Sequence, residues 1–172
     1  MKSARFTFGC LMGNVVVKNW EKLATDFIDE KDVYGTLENG FGVEDTPHVT
    51  LLFGFHDDKS DIAERLEKKL PTKGAIKLNV VSVSFFETPA YDVVKFDVES
   101  SSLNKLHEWC KENFDYTSAH KEYHPHITIA YVKKGMGQKY KREMSKAFEF
   151  EISDLIYSHP DKDKKKETWS IA

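Results

Sequence analysis

The sequence predicts an α+β protein of one domain. Three observations carry that expectation. The chain has 172 residues, a length that suits a single domain able to bury a core. Stretches with the two-residue alternation of strands are interleaved with stretches at helical spacing. Two consecutive strand-like stretches, Ile76–Phe86 and Asp92–Val98, flank a turn at Pro89, the pattern of an antiparallel hairpin.

The elements are taken in chain order. Arg5–Leu11 alternates and reads as a strand, with Phe6 and Phe8 expected in the core, the floor of a groove being the alternative for one of them. Lys18–Lys31 carries Trp20, Leu23, Ala24, Phe27 and Ile28 on one helical face. Asp32–Pro47, rich in Gly, Asn and Asp, is a loop leading to a strand at His48–Phe55. Ser60–Leu70 is an amphipathic helix stopped by Pro71 and Gly74. After the hairpin, Ser100, Ser101 and Ser102 offer N-caps to a helix with the stripe Leu103, Leu106, Trp109, Cys110 and Phe114. Asp115–Pro125 is a polar loop and His126–Val132 a strand. Lys133–Lys146, basic and glycine-interrupted, reads as a loop leading to a short helix. Phe148–Ser158 alternates as a strand, and Trp169–Ala172 closes a last edge strand. The charge run Asp161–Glu167 reads as a solvated turn, with a phosphate-facing basic loop as the alternative.

Composition narrows the function classes. Lys plus Arg number 25 and Asp plus Glu 28, a formal net charge of −3. That balance weighs against a general nucleic-acid coat but leaves room for a groove that takes a small nucleotide. No stretch approaches the roughly 20 apolar residues of a membrane span. The apolar run Phe6–Val17 is broken by Gly9, Gly13 and Asn14, closed by Lys18, and followed by no A-x-A site, so a strand is preferred to a leader. The only cysteines, Cys10 and Cys110, form neither a disulfide framework nor a four-ligand zinc site; two reduced buried thiols and a cytoplasmic location are expected. Gly-rich phosphate loops, H-E-x-x-H and C-x-x-C are all missing from the sequence.

One internal repeat stands out. Residues 47–53 read Pro-His-Val-Thr-Leu-Leu-Phe and residues 125–131 read Pro-His-Ile-Thr-Ile-Ala-Tyr. Strand alternation puts His48 and Thr50 on one face and Val49, Leu51 and Phe53 on the other. In the second copy His126 and Thr128 share a face, opposed by Ile127, Ile129 and Tyr131. The opposing faces are expected to be core. If the two halves are related by a pseudo-two-fold axis, the two His-Thr faces meet across one groove. Two imidazoles with ordinary pKa values near 6.5 then serve as acid and base in phosphoryl transfer, while two hydroxyls donate to phosphate oxygens. A metal site and a purely structural role are the competing readings.

The motifs PHVTLLF and PHITIAY, at this spacing, resemble those of the 2H phosphoesterase superfamily, which includes 2′-5′ RNA ligase-like proteins, RNA 2′,3′-cyclic phosphodiesterases and phage enzymes that destroy cyclic-nucleotide immune signals. The resemblance implies two pseudo-symmetric β-α-β lobes with antiparallel-rich sheets around a central groove. It implies catalysis by His48 and His126, phosphate contacts from Thr50 and Thr128, and neither metal nor cofactor. The expected partner is a nucleotide or RNA-end substrate; the chain is expected to be monomeric and away from membranes. A binding module that kept the fold and lost turnover is the alternative function class.

Secondary candidates precede the second motif. Tyr123 and His124 are candidates for stacking on a substrate base, with His120 and Lys121 weaker ones. Tyr131 and Lys133 have the wrong parity for the groove, though Lys133 reaches a phosphate if the strand ends there, and His107 and His159 read as structural.

Overall fold

The computed structural model describes residues 8–56, 62–69, 75–118, 122–160 and 166–171. The chain runs β1 (Phe8–Val16), α1 (Trp20–Phe27), β2 (His48–His56), α2 (Ile62–Lys69), β3 (Ile76–Glu87), β4 (Tyr91–Glu99), α3 (Ser101–Asn113), β5 (His126–Lys133), β6 (Arg142–Ser158) and β7 (Glu167–Ser170). It is a strand-rich mixture of α and β. The strands join in the order β1-β2-β5-β4-β3-β6-β7, and a further β1–β6 pairing closes the first six into a circuit. All these pairings are antiparallel, the predicted β3–β4 hairpin among them.

Strand β6 makes the closure. It pairs with β3 from Arg142 to Ile152 and with β1 from Glu151 to Ser158, while β7 takes over beside it at Asp154–Tyr157. The expected loop and short helix over Lys133–Lys146 give way here to a 3₁₀ turn at Gly137–Tyr140 and then to strand. The charged start of β6 has little strand character of its own; it becomes strand because β3 offers it a ladder of backbone partners. Strand β1 also continues past Leu11, where the periodicity ends it, to Val16, with alternating burial from Phe8 to Val15. Phe8 is half-buried and stacked on His56 at 5.6 Å rather than placed in the core. The positions of Phe6, His120, Lys121 and most of the charge run lie outside the described residues.

One face of the sheet is buried. Leu11, Val49, Leu51, Phe55, Phe96, Ile127, Ile129 and Ile152 are fully enclosed, with Trp20 and Ala24 of α1 and Leu103, Leu106 and Cys110 of α3 in the same cluster. Ser100 caps α3 by accepting from the Leu103 amide at 3.2 Å, the N-cap role expected of that serine run. The motif strands β2 and β5 share a single registered pair, Val49 opposite Ile127, and then diverge. Each strand is completed by the segment that leads into the other motif. Residues of the 33–44 loop bridge to β5 at Val33–Val132 and Val43–Ala130, and Tyr116 bridges to Phe55 of β2.

Gly54 makes the second of these contacts possible. Its φ is +107°, and a Cβ there would come within 2.0 Å of the Thr117 carbonyl oxygen. The Thr117 amide donates to the Gly54 carbonyl at 2.9 Å, so the close approach is part of the pairing.

Candidate active site

The site grows out of the Val49–Ile127 pair. Residues on either side of an antiparallel pair face each other in turn, so His48 stands opposite Thr128 and Thr50 opposite His126. All four side chains alternate with buried Val49 and Ile127 and share the other face. Directly opposed residues have Cβ atoms about 5 Å apart and diagonal ones about 7 Å. The two histidines stand diagonally across this pair.

Both imidazoles are held in the same way. His48 Nδ1 contacts the Thr46 carbonyl at 3.0 Å, and His126 Nδ1 contacts the His124 carbonyl at 2.9 Å. A carbonyl only accepts, so Nδ1 carries the proton in each ring and Nε2 is left for proton transfer. Each bond spans the motif proline, Pro47 or Pro125, whose locked φ fixes the carbonyl two residues before the histidine. The proline carbonyls are themselves tied to flanking strands, Pro47 to the Val15 amide at 3.0 Å and Pro125 to the Val98 amide at 3.2 Å.

The shared face extends across neighbouring strands. Asn14 and Met12 of β1 are in register with His48 and Thr50. On the other side Lys95 and Asp97 of β4 are in register with Thr128 and His126, and beyond them lie Ser84 and Ser82 of β3. Lys95 is buried, yet its ammonium pairs with Asp97, donates to Ser84 Oγ at 2.6 Å and lies 4.6 Å above the Phe86 ring. Asp97 also accepts from Ser82 at 2.7 Å and Ser84 at 2.9 Å. Burial alone would raise the Asp97 pKa, but the bonds from Lys95, Ser82 and Ser84 outweigh it and hold the carboxyl below the usual range.

His126 is half-buried. Burial lowers its pKa below 6.5; the His124 carbonyl and Asp97 push upward, while Lys95 and His48 push further down. The ring of Phe86 meets it edge-on at 5.0 Å. On the β1 side, the Cys10 thiol is bonded to Thr50, and burial pushes its pKa up to about 11, so it stays a neutral thiol. Among the described residues no three His, Cys, Asp or Glu side chains converge as a metal site.

Two features revise the strand-parity reading. Met12 pairs with Thr50 but Leu11 pairs with Leu52, so Leu51 is an extra residue in β2. Lys95 pairs with Thr128 but Val94 pairs with Ala130, so Ile129 is an extra residue in β5. These β-bulges fall at the same position of the two motifs, directly after the threonine; the one in β5 flips the parity of the rest of its strand, while the one in β2 holds as far as Phe53, where a second extra residue, Gly54, restores it. Phe53 and Tyr131 therefore return to the histidine face instead of joining the core. Phe53 is 47% exposed, and Tyr131 packs half-buried between Phe41 and Tyr91.

Of the secondary candidates, Tyr123 is placed as a support. Its ring is stacked on His107 at 3.8 Å, its hydroxyl donates to the Thr50 carbonyl at 2.7 Å, and His107 Nδ1 contacts the Leu51 carbonyl at 2.7 Å. One face of the Tyr123 ring is thus taken by His107. His124 gives its carbonyl to His126 and turns its ring outward to Glu122 at 3.2 Å. Sequence reasoning missed Lys95 and Asp97. Their signal was the alternation of Val94, Phe96 and Val98 with two charges, which reads as a solvated strand face until β4 is paired with β5.

This fold and site define a class in which two His-x-Thr strands meet on one sheet face. A family profile described as the 2′-5′ RNA ligase superfamily matches residues 41–162, and the chain belongs to that family, within the 2H phosphoesterases. The fold is similar to that of Usb1 from Kluyveromyces marxianus (TM-score 0.66, 8% identity, 96% of this chain and 99% of that one). It is also similar to TT0787 from Thermus thermophilus (TM-score 0.53, 15% identity, 86% of each chain). No curated protein sequence matches this one. Among the described residues no helix is long and apolar enough to cross a membrane.

Proposed function

We propose that the protein is a phosphodiesterase that opens 2′,3′-cyclic, 2′-5′ or 3′-5′ phosphodiester bonds of RNA ends or small nucleotides, with His48 and His126 as acid and base and no metal. The observation that carries this reading is the matched pair of Nδ1–carbonyl bonds, which presents two Nε2 atoms on the face that holds Thr50 and Thr128.

In each turnover one Nε2 starts bare and accepts the proton of the attacking water or hydroxyl. The other starts protonated and gives its proton to the leaving oxygen. Thr50 and Thr128 donate to the non-bridging oxygens as charge builds there. With one imidazole protonated, the charges of the Lys95–Asp97 pair cancel and the site carries one net positive charge, matched to the single negative charge of a phosphodiester. Lys95 and Asp97 act as positioning residues that set the field around His126. The bilobal, pseudo-symmetric arrangement belongs to this proposal, supported by the equivalent bulges and the exchanged lead-in segments.

The test is turnover of a nucleoside 2′,3′-cyclic phosphate and of 2′-5′ and 3′-5′ dinucleotides in EDTA, read by mass spectrometry. Cleavage of at least one bond class without added metal is expected. Turnover that needs Mn²⁺ or Zn²⁺ contradicts the assignment.

A further inference from the structure

We infer that the groove takes a phosphodiester with a nucleobase on either side, one stacked on Phe53 and the other on Phe86. The substrate class is then two nucleosides joined through phosphate rather than a lone mononucleotide. This deepens the phosphodiesterase reading and rests on it.

Single apolar side chains in water are ordinary on a protein surface. These two are set apart by place. Among the described residues Phe53 and Phe86 are the only aromatic side chains in the exposed large apolar set, at 47% and 43%. Both lie on the histidine face, and they border the His-Thr set from opposite ends. Phe53 reaches that face through the bulge at Leu51 and lies beyond Thr50 along β2. Phe86 lies beyond Ser84 along β3, with its ring against His126 at 5.0 Å and the Lys95 ammonium 4.6 Å from its centre.

Each ring is braced. Phe8 meets Phe53 at 6.4 Å and 79°, and Phe8 is itself stacked on His56. Lys95 and His126 fix Phe86. Tyr131, which occupies the same motif position as Phe53, is packed against Phe41 and Tyr91, so the second end of the groove is served by Phe86 from β3. A phenyl face stacks on any base, worth about 5–150-fold in affinity per base, and selects for the presence of a base more than for its identity.

The experiment uses the full chain and three probes: 3′-5′ diadenosine monophosphate, the same compound with one nucleoside abasic, and adenosine 2′,3′-cyclic phosphate. KM, kcat and binding by calorimetry are measured for wild type, Phe53→Leu, Phe86→Leu and the Trp variants at both positions. Each Leu variant is expected to raise KM for the dinucleotide about tenfold with kcat largely kept, and Trp to restore it. The abasic probe should lose sensitivity to one of the two Leu variants. Turnover of the dinucleotide with wild-type KM in either Leu variant overturns the two-base subsite alone. If none of the probes binds or turns over, the phosphodiesterase reading falls and the subsite falls with it.

Discussion

Asp97 stands in register with His126 on the adjacent strand while binding Lys95 through its other contacts. The pair places opposite charges beside one imidazole, and their effects on it oppose each other. Burial decides the balance, so His126 is expected to titrate below the ordinary value of 6.5, followed by the ring Cε1–H shift in NMR. Lys95→Met removes a repulsive cation and should move that titration up; Asp97→Asn removes an attractive anion and should move it down. The limb of the pH–rate profile that belongs to His126 should move with it. Equal profiles in the two variants would show that the pair is structural only.

Tyr123 and His107 prop β2 from the side opposite the groove. Tyr123→Phe removes the donor to the Thr50 carbonyl, a loss of about 1 kcal/mol in stability, measured by urea unfolding. A lower kcat with little change in KM is expected, because Thr50 shifts while the substrate contacts remain. A large rise in KM at unchanged stability would instead return Tyr123 to the substrate.

Gly54→Ala tests the crossing of lead-in and strand. The new Cβ meets the Thr117 carbonyl in a backbone conformation that favours glycine, at a cost of about 1–3 kcal/mol or more. Thermal melting should show it, with the 115–117 segment losing amide protection first. Wild-type stability would mean that the segment does not depend on that close approach.

The duplicated Pro-His-x-Thr was legible in the sequence because everything it needs is local: a proline to set the carbonyl, a histidine to bind it, and a threonine two residues on. The helices and hairpin were legible for the same reason. The bulges were not, since parity counting assumes an unbroken strand. Their trace was Leu51-Leu52 and Ile129-Ala130, two consecutive buried residues before an aromatic ring. Lys95 and Asp97 were hidden differently. Only the pairing of β4 with β5 turns a polar strand face into the wall of a site. The charged start of β6 is strand through its partner β3 alone, and no local pattern announces it.

The central claim is that two imidazoles transfer protons at one phosphodiester. Single-turnover cleavage in EDTA, comparing wild type with His48→Ala and His126→Ala, tests it most directly. Both variants should fold normally, since the side chains line a polar face, and each should lose about 10²–10⁴-fold in rate. Wild-type rates in either folded variant would contradict the account.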